Sequence, residues 1–286
     1  MEQYPDASSR STRARLKRMI PNTVWRRGSD AYWWWRNRGH HQTAAMFGTR
    51  LRSDRERLVA YRDRHRGERC FVIGNGPSLK QTDLSLLKEE FTFGMNRIYM
   101  IFAELGFSTT YFLAINTLVI EQCASEIRAL RIPKFLTWRS RRWMSGDPGT
   151  IFVDTDYRGP ESFSTDLTGR VFEGGTVTYV ALQAAYWMGF QEVILVGVDH
   201  RYSTAGPANA MVVSQSDDPD HFDPEYFGRG FRWQLPDLEA SERSYRLARA
   251  AFEADGRRIV DATVGGQLEV FPKIDYKSLF AGQGDA

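Results

Sequence analysis

The chain has 286 residues, of which 42% are hydrophobic and 26% charged, proportions typical of a globular protein with a substantial core. Its two cysteines, Cys70 and Cys123, are too few for a zinc site or a disulfide framework, which favours a reducing compartment. The net charge is only +3, but the basic excess lies in residues 1–69 and the rest of the chain is acidic.

Residues 1–67 are predicted to form a basic, tryptophan-rich extension ahead of the main domain. Within it, residues 10–20 suit a short basic helix, and residues 50–66 suit a charged helix that Gly67 ends. Tryptophans cluster between these two helices, in residues 25–35. Basic and aromatic side chains occur together here, so the extension needs an explanation separate from that of the acidic main domain.

Three interpretations of the extension compete. It packs on the main domain or on a second copy in a homo-oligomer; it binds an anionic membrane surface through residues 10–38; or it binds nucleic acid. Nucleic acid is disfavoured because no nucleic-acid-binding module is recognisable. The chain shows no run of about 18 apolar residues and no apolar signal-peptide centre. We therefore expect a cytoplasmic protein, with peripheral attachment to the inner face of the membrane as the second interpretation.

Residues 68–280 predict an α/β domain, followed by a tail at 281–286. The predicted strands are 70–73, 91–95, 110–115, 134–138, 193–198 and 258–261. The predicted helices are 83–88, 97–105, 118–130, 176–188 and 238–255. The stretches 139–172 and 201–236 are predicted to be irregular, the first as a long loop or a small lid. Strands that alternate with helices indicate a Rossmann-like, mainly parallel sheet with helices on both faces.

The loop Gly74-Asn75-Gly76-Pro77-Ser78 follows the first predicted strand. Backbone N–H groups of such a glycine-rich turn can approach a phosphate closely, and open α/β sheets bind ligands at the carboxyl ends of their strands. The pattern is neither Gly-x-Gly-x-x-Gly nor a Walker loop. A plain strand-ending turn is the alternative interpretation.

An asparagine follows each of the first three predicted strands: Asn75, Asn96 and Asn116. An amide at such a point can hydrogen-bond ribose, phosphate or base without adding charge. The alternative is that each asparagine only caps the following helix. Three amides at equivalent points favour a shared nucleotide site.

Two later positions add candidate contacts. Gly174-Gly175-Thr176 precedes a helix whose N-terminus attracts negative charge, although a plain loop with Thr176 as the helix cap explains it equally well. Asp199 ends the strongest predicted strand. Its carboxylate suits a magnesium ion, a proton or a hydroxyl group, and a turn residue bonded to the backbone is the alternative.

The second irregular stretch carries His221, Tyr226 and Arg229. A mobile loop with these side chains can close over a diphosphate, with arginine paired to the phosphate. A solvated surface loop is the alternative interpretation.

Four ordered motifs resemble one superfamily: Cys70–Leu79 (CFVIGNGPSL), Phe93–Tyr99 (FGMNRIY), Thr176–Leu182 (TVTYVAL) and Gly197–His200 (GVDH). It contains the 6-hydroxymethylpterin diphosphokinase-like domain and the motility accessory factor glycosyltransferases, and it is similar to the bacterial sialyltransferases that cap lipooligosaccharides. The resemblance covers roughly residues 68–280 and leaves out the extension.

The resemblance implies that Asn75, Asn96 and Asn116 hold a cytidine monophosphate moiety, with Gly174-Gly175-Thr176 at the start of a later helix. The sialyltransferases use a histidine base near a Tyr-x-Gly-His element and a tyrosine that stabilises the leaving phosphate. Here that element reads Tyr226-Phe-Gly-Arg229, and His221 is the nearest histidine. For the pterin enzymes, ATP and magnesium are expected, with Asp199 near the metal.

The resulting hypothesis is a glycosyltransferase that uses a nucleotide-activated sugar, such as a CMP-linked acidic sugar, and a glycan or lipid-linked acceptor in surface glycan synthesis. His221 or Asp199 would act as the base, with Tyr226 and Arg229 on the phosphate. No cofactor is implied by this reaction. The alternatives are pyrophosphate transfer from ATP to a hydroxymethyl-pterin, which requires magnesium, and a non-catalytic nucleotide-binding protein.

Overall fold

The structure, a computed structural model, describes residues 49–157 and 161–281. From Asp54 onwards they belong to one compact unit. The predicted helix at 10–20, the membrane-binding segment at 10–38 and the tail after 281 lie outside the described residues, and the domain boundary at residue 67 stays a prediction. Within the described ranges, no helix is both long enough and apolar enough to cross a membrane.

The strands, in chain order, are β1 (Arg69–Ile73), β2 (Phe91–Met95), β3 (Tyr111–Ala114), β4 (Lys134–Thr137), β5 (Thr150–Asp156), β6 (Arg170–Phe172), β7 (Glu192–Val196), β8 (Met211–Val213), β9 (Arg232–Gln234) and β10 (Arg258–Asp261). The α-helices are α1 (Thr49–Val59), α2 (Phe102–Leu105), α3 (Thr117–Gln122), α4 (Ala124–Ala129), α5 (Arg141–Met144), α6 (Val177–Trp187) and α7 (Leu238–Ala254). The six predicted strands are confirmed. The predicted helix 118–130 is divided at Cys123 into α3 and α4, and 83–88 is a single 3-10 turn capped by Asp83.

Eight of these strands form a parallel sheet in the order β10-β7-β1-β2-β3-β4-β5-β6 among the described residues. The chain builds outward from β1 to β6, and α6 then returns across the sheet to begin β7 on the other side of β1. The predicted α/β class and parallel sheet are therefore confirmed. The strand order reverses between β1 and β7, which is where open α/β sheets bind ligands, at the carboxyl ends of the strands.

Both faces of the sheet are covered at β1: successive side chains of a strand point to opposite faces, and four consecutive residues of β1 are buried. In β1, Cys70 and Val72 join the large core under α6 and α7, whereas Phe71 stacks on Phe280 at 5.9 Å on the other side. Helix α7 shows why this packing forms. The carboxylate of Asp237 caps its N-terminus. Its buried residues recur at helical spacing: Ser241, Ser244, Tyr245, Ala248 and Phe252.

The prediction that residues 139–172 are irregular is wrong, because this stretch contains β5 and β6. The apolar part of β5 is only Ile151-Phe152-Val153, and β6 has three residues, so neither shows a clear strand pattern by itself. Pairing with the neighbouring strand decides the conformation: Phe135 of β4 lies opposite Ile151. Such pairing is a tertiary contact that a local sequence pattern does not contain.

Residues 201–236, also predicted to be irregular, contain the antiparallel pair β8 and β9. The side-chain amide of Gln122 in α3 holds this pair against the sheet. It donates to the Arg232 carbonyl at 2.8 Å and accepts from the Arg232 N–H at 2.9 Å. We call residues 201–236 the covering segment, because they cross the carboxyl ends of β1 and β2.

Candidate functional site

The glycine-rich loop at residues 74–78 lies at the switch point and is bonded to the end of β7. The Gly76 N–H donates to the Gly197 carbonyl at 2.9 Å. A Cβ atom on Gly74 would lie 2.2 Å from that same carbonyl oxygen, far inside van der Waals contact. The two strand ends can approach this closely only because residue 74 has no side chain.

Asp199 fixes the far side of this loop. Its Oδ1 accepts from the Ser78 N–H at 3.2 Å and its Oδ2 from the Ser78 hydroxyl at 2.6 Å, and the residue is only 5% exposed. The N–H groups of Gly74, Gly76 and Ser78 all donate hydrogen bonds to acceptors within the protein. The loop therefore does not offer these three N–H groups to a phosphate, whereas the side-chain Oδ1 of Asn75 has no partner among the described residues.

Asn75 and Asn96 carry unused hydrogen-bonding capacity at the ends of β1 and β2. The Oδ1 atoms of both are buried and have no hydrogen-bond partner among the described residues. Asn96 also adopts a left-handed backbone with φ +52°, a conformation that asparagine accepts more readily than most residues. Asn116 differs, because its Oδ1 accepts from the Leu118 N–H at 2.9 Å and caps α3. The structure thus leaves two of the three predicted amides available.

The turn Gly174-Gly175-Thr176 is explained by contacts within the protein. Both glycines have positive φ angles, and a Cβ on Gly174 would lie 2.6 Å from the Ser244 hydroxyl of α7. The Thr176 hydroxyl accepts from the Thr178 N–H at 3.2 Å and caps α6. The helix-cap alternative describes this turn, whose glycines allow α7 to approach.

The covering segment is attached directly to the glycine-rich loop and to the end of β2. The Phe222 N–H donates to the Asn75 carbonyl at 2.9 Å. The guanidinium of Arg97, the residue after Asn96, donates to the Tyr226 carbonyl. These bonds place the loop that carries His221 beside the two unpaired asparagines.

His221 is oriented by a buried carboxylate. Its Nδ1 lies 2.7 Å from Oδ2 of Asp218, and its ring stacks on Tyr226 with 4.0 Å between centroids. Burial tends to raise the pKa of Asp218, but hydrogen bonds from His221 and from the N–H groups of Asp220 and Phe227 outweigh it and hold that pKa below its usual value. Within the described residues, nothing hydrogen-bonds to Nε2 of His221. This arrangement suits a general base.

Tyr226 and Arg97 form the neighbouring part of the site. Tyr226 is fully buried, and burial raises the pKa of its phenol well above the usual value, so the hydroxyl stays protonated. That hydroxyl lies 3.4 Å from the Arg97 N–H, and Nε of Arg97 is buried with no hydrogen-bond partner among the described residues. Arg229 is exposed. Sequence reasoning singled out neither Arg97 nor Asp218, although Arg97 directly follows Asn96 and Asp218 lies three residues before His221.

The residues around Asp199 do not fit a magnesium ion. Both of its carboxylate oxygens already accept hydrogen bonds from Ser78. In the part of the chain that the structure describes, no group of three or more His, Cys, Asp or Glu side chains is arranged to hold a metal. The geometry instead gives Asp199 the task of holding the glycine-rich loop.

Comparison with known proteins gives a family and similarity to solved structures. Residues 49–205 match the family described as 6-hydroxymethylpterin diphosphokinase MptE-like. A glycosyltransferase structure, MAf from Magnetospirillum magneticum AMB-1, is similar at 13% identity and a TM-score of 0.46, over 81% of this chain and 39% of that one. No curated protein matches the chain. The family match includes Asn75, Asn96 and Asp199 and ends before His221.

Proposed function

Because this chain belongs to the 6-hydroxymethylpterin diphosphokinase MptE-like family, we propose that it is a transferase that moves a group from a nucleotide to a hydroxyl acceptor. The nucleotide binds at the carboxyl ends of β1 and β2. The favoured reaction is glycosyl transfer from a nucleotide-activated sugar, with a CMP-linked acidic sugar as the first donor to test and a glycan or lipid-linked acceptor. The observation that carries this proposal is a carboxylate-oriented histidine beside two buried, unpaired amides.

The two asparagines support a nucleotide as the ligand. Buried polar atoms are nearly always hydrogen-bonded in folded proteins, so the free Oδ1 atoms of Asn75 and Asn96 are available to donors of a bound molecule. Ribose hydroxyls and the exocyclic amine of a base are such donors. Phosphate has none at neutral pH, so the sugar and base face the asparagines and the phosphate lies towards Arg97.

The proposed mechanism uses one proton transfer and one displacement. Nε2 of His221 takes the proton of the acceptor hydroxyl, and the acceptor oxygen attacks the anomeric carbon of the donor sugar. The bond between that carbon and the phosphate oxygen breaks, and the phosphate leaves with the electron pair. The Arg97 guanidinium and the protonated Tyr226 hydroxyl stabilise the leaving phosphate. Asp199 does not take part, since both of its oxygens hold Ser78.

Pyrophosphate transfer from ATP to a hydroxymethyl group is the second candidate, favoured by the description of the matching family. His221 would again deprotonate a hydroxyl, which would attack the β-phosphorus of ATP. The bond between that phosphorus and the oxygen bridging to the α-phosphate would break, and AMP would leave with the electron pair. This reaction commonly relies on magnesium to neutralise charge on the phosphates. That ion would have to arrive bound to the ATP, because both carboxylate oxygens of Asp199 already accept hydrogen bonds from Ser78.

A thermal-shift and calorimetric screen separates the two candidates. The ligands are CMP, CDP, UDP, GDP, ADP and ATP, each with and without magnesium, since a ligand that binds only the folded state raises the Tm. Stabilisation by CMP, CDP, UDP or GDP without magnesium supports the glycosyltransferase and identifies the donor nucleotide. Stabilisation by ATP only with magnesium replaces it with the diphosphokinase. No stabilisation by any nucleotide contradicts both.

Asn75→Ala is expected to weaken nucleotide binding without lowering stability. The lost Oδ1 has no partner in the free protein, so its removal relieves an unpaired buried group, whereas binding loses a hydrogen bond worth about 1–1.5 kcal/mol, or roughly tenfold in Kd. Asn116→Ala is the matched variant: loss of a helix cap should lower stability by about 1 kcal/mol. Calorimetry and thermal melts measure both. A lower Tm and an unchanged nucleotide Kd in Asn75→Ala would show that Asn75 stabilises the fold and does not contact the nucleotide.

Arg97→Ala and Arg229→Ala test which arginine meets the phosphate. We expect Arg97→Ala to weaken binding of the nucleotide by about 10- to 100-fold, because a charge-assisted hydrogen bond contributes about 1.5–3 kcal/mol. Arg229→Ala should change it less than threefold, since that side chain is exposed. Comparing each Kd for the nucleotide with that for the matching nucleoside isolates the phosphate contribution. A larger loss of nucleotide affinity in Arg229→Ala than in Arg97→Ala would assign the phosphate contact to Arg229.

A further inference from the structure

The carboxylate of Asp218 is held in place from several directions. The residue is 9% exposed, and its Oδ1 accepts from the Asp220 N–H at 2.9 Å. Its Oδ2 accepts from the Phe227 N–H at 3.0 Å and lies 2.7 Å from Nδ1 of His221. Two backbone donors thus aim the carboxylate at one nitrogen of one ring.

This geometry specifies the protonation of His221. A neutral imidazole carries its proton on either Nδ1 or Nε2, and a carboxylate can only accept a hydrogen bond. The proton therefore lies on Nδ1, between His221 and Asp218, and Nε2 keeps a lone pair. The stacked ring of Tyr226 at 4.0 Å prevents the imidazole from rotating out of this orientation.

Other charged and titratable groups lie around His221 without bonding to it. Asp220 accepts from the Ser203 N–H at 2.6 Å, which ties the start of the covering segment to its middle. The rings of Tyr226 and Tyr202 flank the imidazole, the second at 6.0 Å. Asp199 is bonded to Ser78. Among these groups, Asp218 alone is in hydrogen-bonding contact with His221.

We infer that Asp218 is the positioning residue of His221: it sets the Nδ1–H tautomer, presents the Nε2 lone pair to the acceptor hydroxyl, and stabilises the imidazolium that forms. The inference rests on the proposed function in assigning His221 as the base. Its structural part, the control of the tautomer, stands independently. During transfer the acceptor proton moves to Nε2, the Nδ1 proton stays with the ring, and Asp218 remains a carboxylate.

Asp220 provides a matched control for any substitution of Asp218. Both are buried aspartates of the covering segment, and both accept hydrogen bonds from a backbone N–H. Asp218→Asn and Asp220→Asn remove the same charge two residues apart. Only the first removes the carboxylate that faces Nδ1, and an amide NH2 group placed there would force the imidazole proton onto Nε2.

The experiment is nitrogen-15 NMR of the full chain, with the His221 signals assigned from their absence in His221→Asn. In the native protein and in Asp220→Asn, we expect neutral His221 to be mainly the Nδ1–H tautomer. In Asp218→Asn, Nε2–H should dominate. A native protein with Nε2–H dominant overturns the inference, and so does Asp220→Asn shifting the tautomer as far as Asp218→Asn does. If Asp218→Asn does not fold, the native spectrum alone decides.

Activity then separates the inference from the proposed function. Once a donor is found, Asp218→Asn should lower kcat by about 10²–10⁴ with KM within about threefold, as in other carboxylate–histidine pairs. Asp220→Asn should stay within about tenfold. The expected tautomers with no transferase activity in any variant would contradict the proposed function and leave the pairing intact. The expected tautomers with full activity in Asp218→Asn would overturn the positioning role.

Discussion

Replacing His221 with asparagine is expected to lower kcat for transfer by about 10²–10⁴ and to leave the nucleotide Kd within about twofold, because general base catalysis commonly contributes this much. The NH2 group of asparagine can still donate to the Asp218 carboxylate, but the amide cannot take a proton from an alcohol at neutral pH. The proposed nucleotide contacts, Asn75 and Asn96, lie on other elements and are unchanged. Steady-state kinetics with the donor identified by the binding screen measures kcat, and calorimetry measures Kd.

His200→Asn is the matched control for this experiment. His200 is also largely buried and also contacts a carboxylate, with its Nε2 3.2 Å from Glu242 of α7. Its φ is +55°, a left-handed conformation that asparagine accepts well. We expect His200→Asn to keep at least about a third of the native kcat, since His200 acts on neither proton nor phosphate in the proposed mechanism. Equal losses in both variants would remove His221 from its proposed role.

Replacing Gly76 with alanine is expected to weaken nucleotide binding by more than about tenfold and to lower the Tm by roughly 4–10 °C. The φ of Gly76 is −69°, so the backbone accepts alanine and only space is at issue. The new Cβ would lie 1.9 Å from Oδ2 of Asp199 and 3.0 Å from its Cβ. The carboxylate must therefore leave, and both bonds to Ser78 break, at a cost of about 2–3 kcal/mol.

Gly169→Ala controls for the general effect of alanine in place of glycine. A Cβ there would meet its nearest neighbour, the Asp166 carbonyl oxygen, at 3.7 Å, an ordinary contact. This variant should melt within about 2 °C of the native protein. A double-variant cycle gives a sharper test, because Asp199→Ala should add little once Gly76→Ala has displaced the carboxylate. Additive losses of stability, or a Gly76→Ala variant with native Tm and Kd, would contradict the assigned contact.

The sequence by itself was sufficient for the fold class. Compact apolar runs such as Val193–Val198 predict buried strands, and the capped, amphipathic pattern of 238–255 predicts a helix, because these signals lie within a few residues of one another. The strands β5 and β6 escaped prediction because neither carries a clear local signal: β5 has only three consecutive apolar residues, and β6 is three residues long. Both become strands through hydrogen bonds to the neighbouring strand.

The candidate site divides in a similar way. Parallel strands end at a common edge, so the sequence could predict that Asn75 and Asn96 lie near one another. It could not show that the Asn116 side chain caps a helix, or that both carboxylate oxygens of Asp199 accept hydrogen bonds from Ser78. Those assignments depend on which polar groups meet at bonding distance, and several pairings fit the same sequence.

The covering segment shows most clearly what only the tertiary structure decides. The run Asp217-Asp218-Pro219-Asp220-His221 offers three carboxylates to one histidine, and nothing in its order says which one pairs with the ring. The folded loop turns Asp218 towards Nδ1 and Asp220 towards Ser203. Local sequence indicates strands and helices because apolar spacing, turn residues and helix caps are signals that lie within a few residues of one another. A reactive side chain depends on single contacts between distant segments, which form only when the whole sheet is assembled.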